Sequence, residues 1–201
     1  MRRVGKISWL IGGLAVVAII ALVIWQRANL PEYPDIDSPR PVLGNASAGI
    51  VIEEFSDFQC PACKSAGLAS KEVVAAFGDQ IAFYYKHFPL TTIHPYALRA
   101  AMASECANDQ GKFWEYHDTL FANQPKFSQN ELIGYAGDLE LDVESFTACL
   151  KSRAKNDLVR EDMKEGDRRN VRSTPSFFVN GEQVKDWIKL KDIIQAKLVG
   201  G

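Results

Sequence analysis

Two cysteines stand three residues apart in the stretch FSDFQCPACK, where an apolar run gives way to a helical pattern. Cys60 is predicted to start the helix, because Pro61 suits a first helical turn and apolar residues recur at helical spacing as far as Gly78. A sulfur at a helix amino terminus sits among unpaired N–H groups, which lower its pKa and favour the reactive thiolate. Cys63 lies one turn further on the same side and can close a disulfide with Cys60. The pattern predicts thiol–disulfide exchange.

The same pair has two other interpretations. A static disulfide is disfavoured, because so small a loop restricts the unfolded chain very little. Zinc usually takes about four ligands, whereas His87, His94 and His117 follow no ligand spacing around the two cysteines. We therefore expect no metal and no cofactor beyond a redox-active Cys60–Cys63 disulfide. A non-catalytic module that binds metal through its thiolates stays open as an alternative of a different class.

The amino-terminal part of the chain differs from the rest. Residues 7–25 carry no charge, and at about 1.5 Å per residue they are long enough to cross a hydrocarbon core of roughly 30 Å. We expect a transmembrane anchor, with a cleaved signal peptide as the alternative. Arg2, Arg3 and Lys6 precede this segment, so the positive-inside rule places residues 1–6 in the cytoplasm. The expected location is the cytoplasmic membrane, crossed once, with the catalytic domain in the periplasm or extracytoplasmic space.

The remaining chain reads as a short linker and one domain. Residues 26–47 contain four prolines and form the linker, and residues 48–201 form the domain. Apolar stretches predict strands in GIVIEEF, QIAFYYKHFPL and TPSFFVNGEQV, and amphipathic patterns predict helices over about 95–168 and in WIKLKDIIQAKLV. The order of elements indicates an α/β fold with a helical insertion. A net charge of −2 provides no basic field for nucleic acid.

Four stretches carry a resemblance to a known family. FSDFQCPACK, HFPL, HPYALRAAMASECANDQGKFWEYHDTLF and STPSFFVNG occur in an order and spacing that resemble the DsbA-like thiol–disulfide oxidoreductases of the thioredoxin superfamily, in particular their membrane-anchored bacterial branch. The resemblance covers roughly Val42 to Val199. It implies a thioredoxin-like fold, reduced or unfolded exported polypeptides as substrates, and a membrane redox partner, such as a quinone-linked reoxidase.

The resemblance also implies roles for individual residues. Cys60 matches the family's nucleophile and Cys63 its resolving cysteine. Pro175, which follows Thr174, matches a proline that is cis in this fold and packs against the active-site disulfide. The backbone of Thr174 would then offer hydrogen bonds to a substrate peptide. The alternative for Pro175 is an ordinary trans proline that opens an edge strand.

Glu54, six residues before Cys60, matches a buried acid below the active site of this fold. A carboxyl group in an apolar setting has a raised pKa and could exchange a proton with Cys63. Because Glu53 and Glu54 point to opposite faces of a strand, the two must differ in environment, and one of them must be solvated. Which of the two acids is buried is therefore left open by the alternation alone.

One position departs from the strongly oxidising members of the family. Those members resemble CPHC, whereas this chain has Ala62 in place of the histidine. Without that cation the Cys60 thiolate loses one stabilising partner, and a milder oxidant is expected. The favoured activity is disulfide donation by Cys60-Pro-Ala-Cys63. A reductase or isomerase on the same fold is the alternative, because small energy differences between the redox states set the direction.

Cys106 and Cys149 lie in the helical insertion, outside the redox motif. An even number of cysteines in an oxidising compartment favours pairing, and of the three possible connectivities only Cys106–Cys149 leaves Cys60 and Cys63 to react. We expect a structural disulfide here. Two buried free thiols and a redox relay are the alternatives.

Overall fold

The computed structural model describes residues 4–28, 33, 34, 36 and 38–200. The helices are α1 (Val4–Ala28), α2 (Pro61–Phe77), α3 (Ala97–Asn108), α4 (Phe113–Asn123), α5 (Gln129–Asp138), α6 (Val143–Ser152), α7 (Asn156–Arg168) and α8 (Leu190–Gly200). The strands are β1 (Val42–Gly44), β2 (Ile50–Ser56), β3 (Ile81–His87), β4 (Ser176–Val179) and β5 (Glu182–Val184). The helices α3 to α7 all fall between β3 and β4, which confirms the predicted α/β fold with a helical insertion.

The strands form one mixed sheet in the order β1-β3-β2-β4-β5. The central strand β2 runs parallel to β3 and antiparallel to β4, while β1 and β5 are antiparallel edges. Because β2 lies inside the sheet, its carboxyl end meets the start of β4 and the loop that follows β3. The segment between β2 and α2 therefore has a structural neighbour on each side.

Successive residues of β2 point to opposite faces of the sheet. Ile52 packs in one apolar cluster with Val73 of α2 and Ile194 of α8. Phe55 points the other way and packs with Phe88 and Phe178, beneath Gly166 of α7. A side chain at Gly166 would collide with the Phe88 ring at 2.6 Å, so only glycine lets α7 approach the sheet this closely. Helices thus cover both faces: α7 of the insertion lies on the Phe55 side, and α4 of the insertion contacts α2 on the Ile52 side.

The turn between β4 and β5 follows the hairpin pattern predicted from Asn180-Gly181. Both residues have positive φ angles, +50° at Asn180 and +82° at Gly181. The Asn180 side chain also accepts a hydrogen bond from the backbone N–H of Val51 at 2.7 Å and donates to the carbonyl of Gly49 at 3.1 Å. The hairpin is thereby held against the first residues of β2.

The segment predicted as a linker is attached to the helical insertion rather than standing free. Arg40 forms two hydrogen bonds of 2.7 Å with the buried carboxylate of Asp162. Ser38 and Tyr33 donate to Asp109, at 2.7 and 2.9 Å. The partners of these side chains lie more than 70 positions away along the chain, so composition could not disclose them.

The predicted membrane location needs correction. The segment 7–25 forms part of α1, but among the described residues no helix is long and apolar enough to cross a membrane. A span requires about 20 consecutive apolar residues. The expected single-pass location in the cytoplasmic membrane, with the domain on the extracytoplasmic side, is therefore wrong on this finding. Arg2 and Arg3, which supplied the orientation, lie outside the described residues.

Candidate active site

The two cysteines of the motif occupy the first turn of α2. Cys60 caps the helix with an extended backbone, and its carbonyl accepts hydrogen bonds from the backbone N–H groups of Cys63 at 3.1 Å and Lys64 at 3.3 Å. Pro61 takes the first helical position, where its missing N–H costs no hydrogen bond. Both thiols are free, so the site is in its reduced form. Cys60 keeps 8% of its surface exposed and Cys63 none, so an external sulfur can reach only Cys60.

Two backbone groups contact the sulfur atoms. The Cys60 thiol points at the carbonyl oxygen of Thr174, 3.5 Å away, and the peptide bond from Thr174 to Pro175 is cis. On the inner side, the backbone N–H of Asp57 donates to the Cys63 sulfur at 3.5 Å. The start of α2, the end of β2 and the residues before β4 therefore meet at the thiols, as the sheet order requires.

The two thiols hold their protons very differently. The pKa of Cys60 falls from its ordinary 9.0 to about 5, chiefly because the Cys63 thiol donates a hydrogen bond to its sulfur. Burial opposes this effect, and the backbone N–H groups of Cys63 and Ala62 add to it. The pKa of Cys63 is raised, first by burial and then because its proton is held against Cys60. At neutral pH the reduced site is a Cys60 thiolate beside a Cys63 thiol.

Glu54 is the buried member of the acid pair on β2. It faces α2, where the Ser70 hydroxyl donates to one carboxyl oxygen at 3.0 Å, while the other oxygen has no partner in the described structure. Burial raises the pKa of Glu54 to about 7, against the opposing effects of the nearby Ser56 and Ser70 hydroxyls. Glu53 points to the opposite face and pairs with Arg169 at 2.8 Å. The alternation left open which acid is buried, and the packing of α2 decides it.

Further buried polar atoms surround Glu54 and Cys63. The hydroxyl groups of Tyr85 and Ser56 are buried and without a partner in the described structure. Burial is the first cause that raises the pKa of Cys63 and of Tyr85, and the charge of Glu54 adds to both rises. This polar cluster lies inside the protein, on the Cys63 side of the pair.

Asp57 is a site residue that the sequence analysis missed. Its buried carboxylate accepts hydrogen bonds from the backbone N–H of Gln59 at 2.7 Å and of Leu90 at 2.8 Å, and lies 2.7 Å from Nδ1 of His94. It thereby ties the loop after β3 to the turn that carries Cys60. The sequence did contain a signal for this role: Asp57 lies three residues before Cys60, in a short turn between a buried strand and a helix.

The other two cysteines form a disulfide that joins α3 to α6. Cys106 and Cys149 are both buried, with their Cα atoms 5.8 Å apart and 43 positions between them in the sequence. They belong to the apolar cluster of the insertion, together with large side chains such as Tyr116, Leu120 and Phe146. The bridge therefore links two helices of the insertion, and neither Cys60 nor Cys63 takes part in it.

Comparison with known proteins agrees with this geometry. Residues 37–196 match the family model described as thioredoxin. The oxidised form of BdbD from Bacillus subtilis superimposes with a TM-score of 0.69 and 25% identity, over 80% of this chain and 91% of that one. The MdbA thiol–disulfide oxidoreductase of Corynebacterium diphtheriae shares the fold, with a TM-score of 0.66 at 16% identity over 85% of this chain and 97% of that one.

Relatives with higher identity carry a different name. A Na(+)/H(+) antiporter NhaA 1 of Salinispora arenicola is 41% identical over 154 residues, which are 77% of this chain and 23% of the antiporter. A Na(+)/H(+) antiporter NhaA of Herminiimonas arsenicoxydans is 37% identical over 155 residues, 77% of this chain and 24% of that protein. The chain thus spans about a quarter of the length of these relatives. With its fold and family match taken together, the chain belongs to the thioredoxin family, and it shares its fold with solved DsbA-type proteins such as DsbA2 of Pseudomonas aeruginosa, with a TM-score of 0.64 at 22% identity over 80% of this chain and 94% of that one.

Proposed function

We propose that the chain donates disulfides to polypeptides through Cys60 and Cys63. The proposal is carried by the difference between the two free thiols at the start of α2: Cys60 keeps some exposed surface and has a lowered pKa, whereas Cys63 is fully buried and has a raised pKa. A Cys60 pKa of about 5 makes this sulfur a good leaving group, and the raised pKa of Cys63 keeps the second sulfur protonated in the reduced site. The low pKa of Cys60 favours the reduced form of the protein, which is the property of an oxidant.

The reaction begins from the Cys60–Cys63 disulfide. A substrate thiolate attacks the Cys60 sulfur, a bond forms between these two sulfurs, and the bond between Cys60 and Cys63 breaks. Cys63 leaves as a thiolate and takes up a proton, and the proposed donor is Glu54, a buried acid with a pKa of about 7 whose charge acts on Cys63. Pairing of the substrate backbone with the strand-like edge at Thr174 would hold the substrate sulfur in line with Cys60.

The second step resolves the mixed disulfide. Another thiolate of the substrate attacks the substrate sulfur, and Cys60 leaves as a stabilised thiolate. The substrate has lost two electrons to form its disulfide, and the protein has gained them as the Cys60 and Cys63 pair. A redox partner must then remove these two electrons, and we propose a reoxidase of the quinone-linked class. The proposed substrates are polypeptides that are exported with reduced thiols.

The first experiment equilibrates the chain with graded mixtures of reduced and oxidised glutathione and follows the Cys60–Cys63 disulfide by thiol trapping and mass spectrometry. A potential above about −200 mV is expected for a disulfide donor. A potential near about −270 mV, the range of thioredoxin, would contradict the proposed direction and turn the assignment to a reductase. Cys60→Ser should abolish oxidation of a reduced peptide. Cys63→Ser, supplied with oxidised glutathione as the two-electron oxidant, should accumulate a mixed disulfide between Cys60 and the peptide, because no Cys63 thiol is present to displace it.

A further inference from the structure

Two neighbouring clefts in the helical insertion are lined by exposed cations. One cleft, of about 450 Å³, is lined by Arg99, Lys151 and Arg153, and the other, of about 280 Å³, by Arg160 and Lys164. Leu98 lines both clefts, which are called the basic clefts below. Against these five cations the lining contains one carboxylate, that of Asp167. In a chain with a net charge of −2, this is a local concentration of positive charge.

The cations of the basic clefts are not used by the fold. The cations that stabilise the insertion from within have carboxylate partners: Arg40 with Asp162, and Lys155 with Asp109. Within the part of the chain that the structure describes, no ion pair is found for any of the five cations of the basic clefts. Their charge is therefore available to an external anionic group.

The basic clefts begin beside the thiols. The loop from Leu90 to Tyr96 is tied at both ends to the turn before Cys60, through Leu90 to Asp57 and through the backbone N–H of Tyr96 to Gln59 at 2.9 Å. Thr91 and Pro95 of this loop line the two clefts. Counting bond by bond through Gln59 and Tyr96, the clefts open within roughly 15 Å of Cys60. An extended peptide covers that distance in about four to six residues.

The loop between the thiols and the clefts presents apolar side chains to solvent. Ile93 is 67% exposed and Tyr96 45% exposed. Side chains of this kind hold an unfolded chain without selecting its sequence, while charged clefts select by the sign of the charge. The cations line concave surfaces, which suit an extended chain better than the flat surface of a lipid bilayer.

We infer that the basic clefts bind an acidic stretch of the substrate polypeptide, about four to six residues from its reacting cysteine. This inference rests on the proposed function and names its substrate class. Asp and Glu side chains of the substrate would meet Arg99, Lys151 and Arg153 in one cleft and Arg160 and Lys164 in the other. The attraction speeds encounter and lowers KM, and dissolved salt weakens it because the charges are exposed.

The test compares two synthetic peptides with the same pair of cysteines, one followed by Asp and Glu residues and the other by Asn and Gln residues. The oxidised chain is mixed with each peptide, and kcat/KM is measured by thiol trapping at low salt and at about 0.5 M salt, where the Debye length is only a few ångströms. We expect the acidic peptide to react at least about tenfold faster at low salt, and the difference to fall below about twofold at high salt.

A variant and a matched control locate the effect. Lys151→Gln with Lys164→Gln removes one lysine charge from each cleft and should reduce the preference for the acidic peptide at least about threefold. Lys185→Gln with Lys191→Gln removes the same charge from two exposed lysines that do not line the clefts, and should leave the preference intact. Both variants should oxidise the neutral peptide at the unmodified rate.

The remaining outcomes overturn the inference. Equal rates for both peptides would contradict the inferred preference for an acidic substrate, but they would not contradict the proposed disulfide exchange. Failure to oxidise either peptide, together with failure to oxidise dithiothreitol, removes the proposed function and this inference with it. If the cleft variant keeps the peptide preference but loses binding to phosphatidylglycerol vesicles, the clefts serve an anionic lipid surface instead.

Discussion

At the scale of single residues, the candidate site depends on which atom holds a proton. Cys60 and Cys63 are chemically identical and adjacent on one helical turn, yet their pKa values are shifted in opposite directions. The difference arises because Cys60 receives hydrogen bonds at the helix amino terminus, whereas Cys63 is fully buried behind it. A hydrogen bond between the two sulfurs makes each shift depend on the other residue.

The first prediction at this scale concerns Cys63→Ala. Removal of the Cys63 thiol takes away the main hydrogen bond that stabilises the Cys60 thiolate, so the Cys60 pKa should rise from about 5 toward its ordinary 9.0. The rate of alkylation by iodoacetamide, followed against pH, reports this midpoint. Cys60→Ser is the control and should remove the titration. An unchanged midpoint near 5 would mean that the helix backbone alone stabilises the thiolate.

The second prediction concerns the pH dependence that Glu54 causes. Its pKa is raised in the folded protein, to about 7 from 4.5, so the native state holds the proton more tightly than the unfolded chain does. The free energy of unfolding should therefore fall as pH rises from about 4.5 to about 7, by up to about 3 kcal/mol. Glu54→Gln should remove this fall, measured by urea unfolding of the disulfide form, in which the two thiols do not titrate.

A matched control for that measurement is Glu53→Gln. Glu53 lies on the same strand but faces Arg169, so its replacement leaves Glu54 buried against α2. The fall in stability between pH 4.5 and 7 should persist in this variant. If the fall of unfolding free energy with pH disappears in both variants, or persists in both, Glu54 is not its cause.

At the scale of elements, the site is assembled where three loops meet, and Asp57 connects two of them. The end of β2 leads into the turn that carries Cys60, and the loop after β3 is joined to it through the hydrogen bonds of Leu90 and His94 to Asp57. The residues before β4 bring the Thr174 carbonyl to the Cys60 sulfur. The sheet sets the positions of all three loops, and Asp57 fixes the distance between two of them.

The prediction at this scale is that Asp57→Ala releases the loop of residues 90–96. Loss of the acceptor leaves the N–H groups of Gln59 and Leu90 without their partner, at a cost of about 3 kcal/mol in unfolding free energy. Amide hydrogen exchange in the loop should become faster, which is measured by mass spectrometry of the fragments. Asp142→Ala is the control, since Asp142 caps the exposed start of α6 and should cost about 1 kcal/mol without changing that loop. Unchanged exchange in Asp57→Ala would contradict the proposed connection.

At the scale of the whole molecule, the insertion and residues before β1 are held together by contacts between distant parts of the sequence. The disulfide joins α3 to α6, and the buried pair of Lys155 with Asp109 also lies within the insertion. Arg40 pairs with Asp162 of the insertion, and Tyr33 and Ser38 donate to Asp109. Such pairs are costly to break singly, because the remaining charge stays buried. The basic clefts on the outside of the same insertion carry the charges that these pairs leave unused.

The prediction at this scale concerns the Cys106–Cys149 bridge. A loop of 43 residues is expected to stabilise the fold by about 4 kcal/mol through the restricted unfolded chain. The double variant Cys106→Ala with Cys149→Ala should lose roughly that amount in urea unfolding. The Cys60–Cys63 potential should change little, because the polar contacts of the two redox sulfurs are with Asp57, Thr174 and each other and not with the bridge. A large change in that potential would instead support a redox relay between the two pairs.

The sequence alone determined the reactive motif and the class of fold. Both are set by residues that are close together in the sequence. The motif is a proline between two cysteines at the start of an amphipathic pattern, and the fold class follows from apolar stretches on either side of a helical block. The family resemblance placed Pro175, Thr174 and Glu54 beside the motif from residues far apart in the chain. The membrane location drawn from residues 7–25 and from the cations before them was wrong, because no helix of the described residues is long and apolar enough to cross a membrane.

Only the tertiary structure decided which of the neighbouring acids is buried, what Asp57 contacts and where Arg40 lies. Each of these depends on a partner that is distant in sequence: Ser70 for Glu54, Leu90 and His94 for Asp57, and Asp162 for Arg40. The shifts in pKa follow from the same contacts, since burial and hydrogen bonding are properties of the packed chain. Local spacing fixes which residues share a face, whereas packing fixes what that face meets.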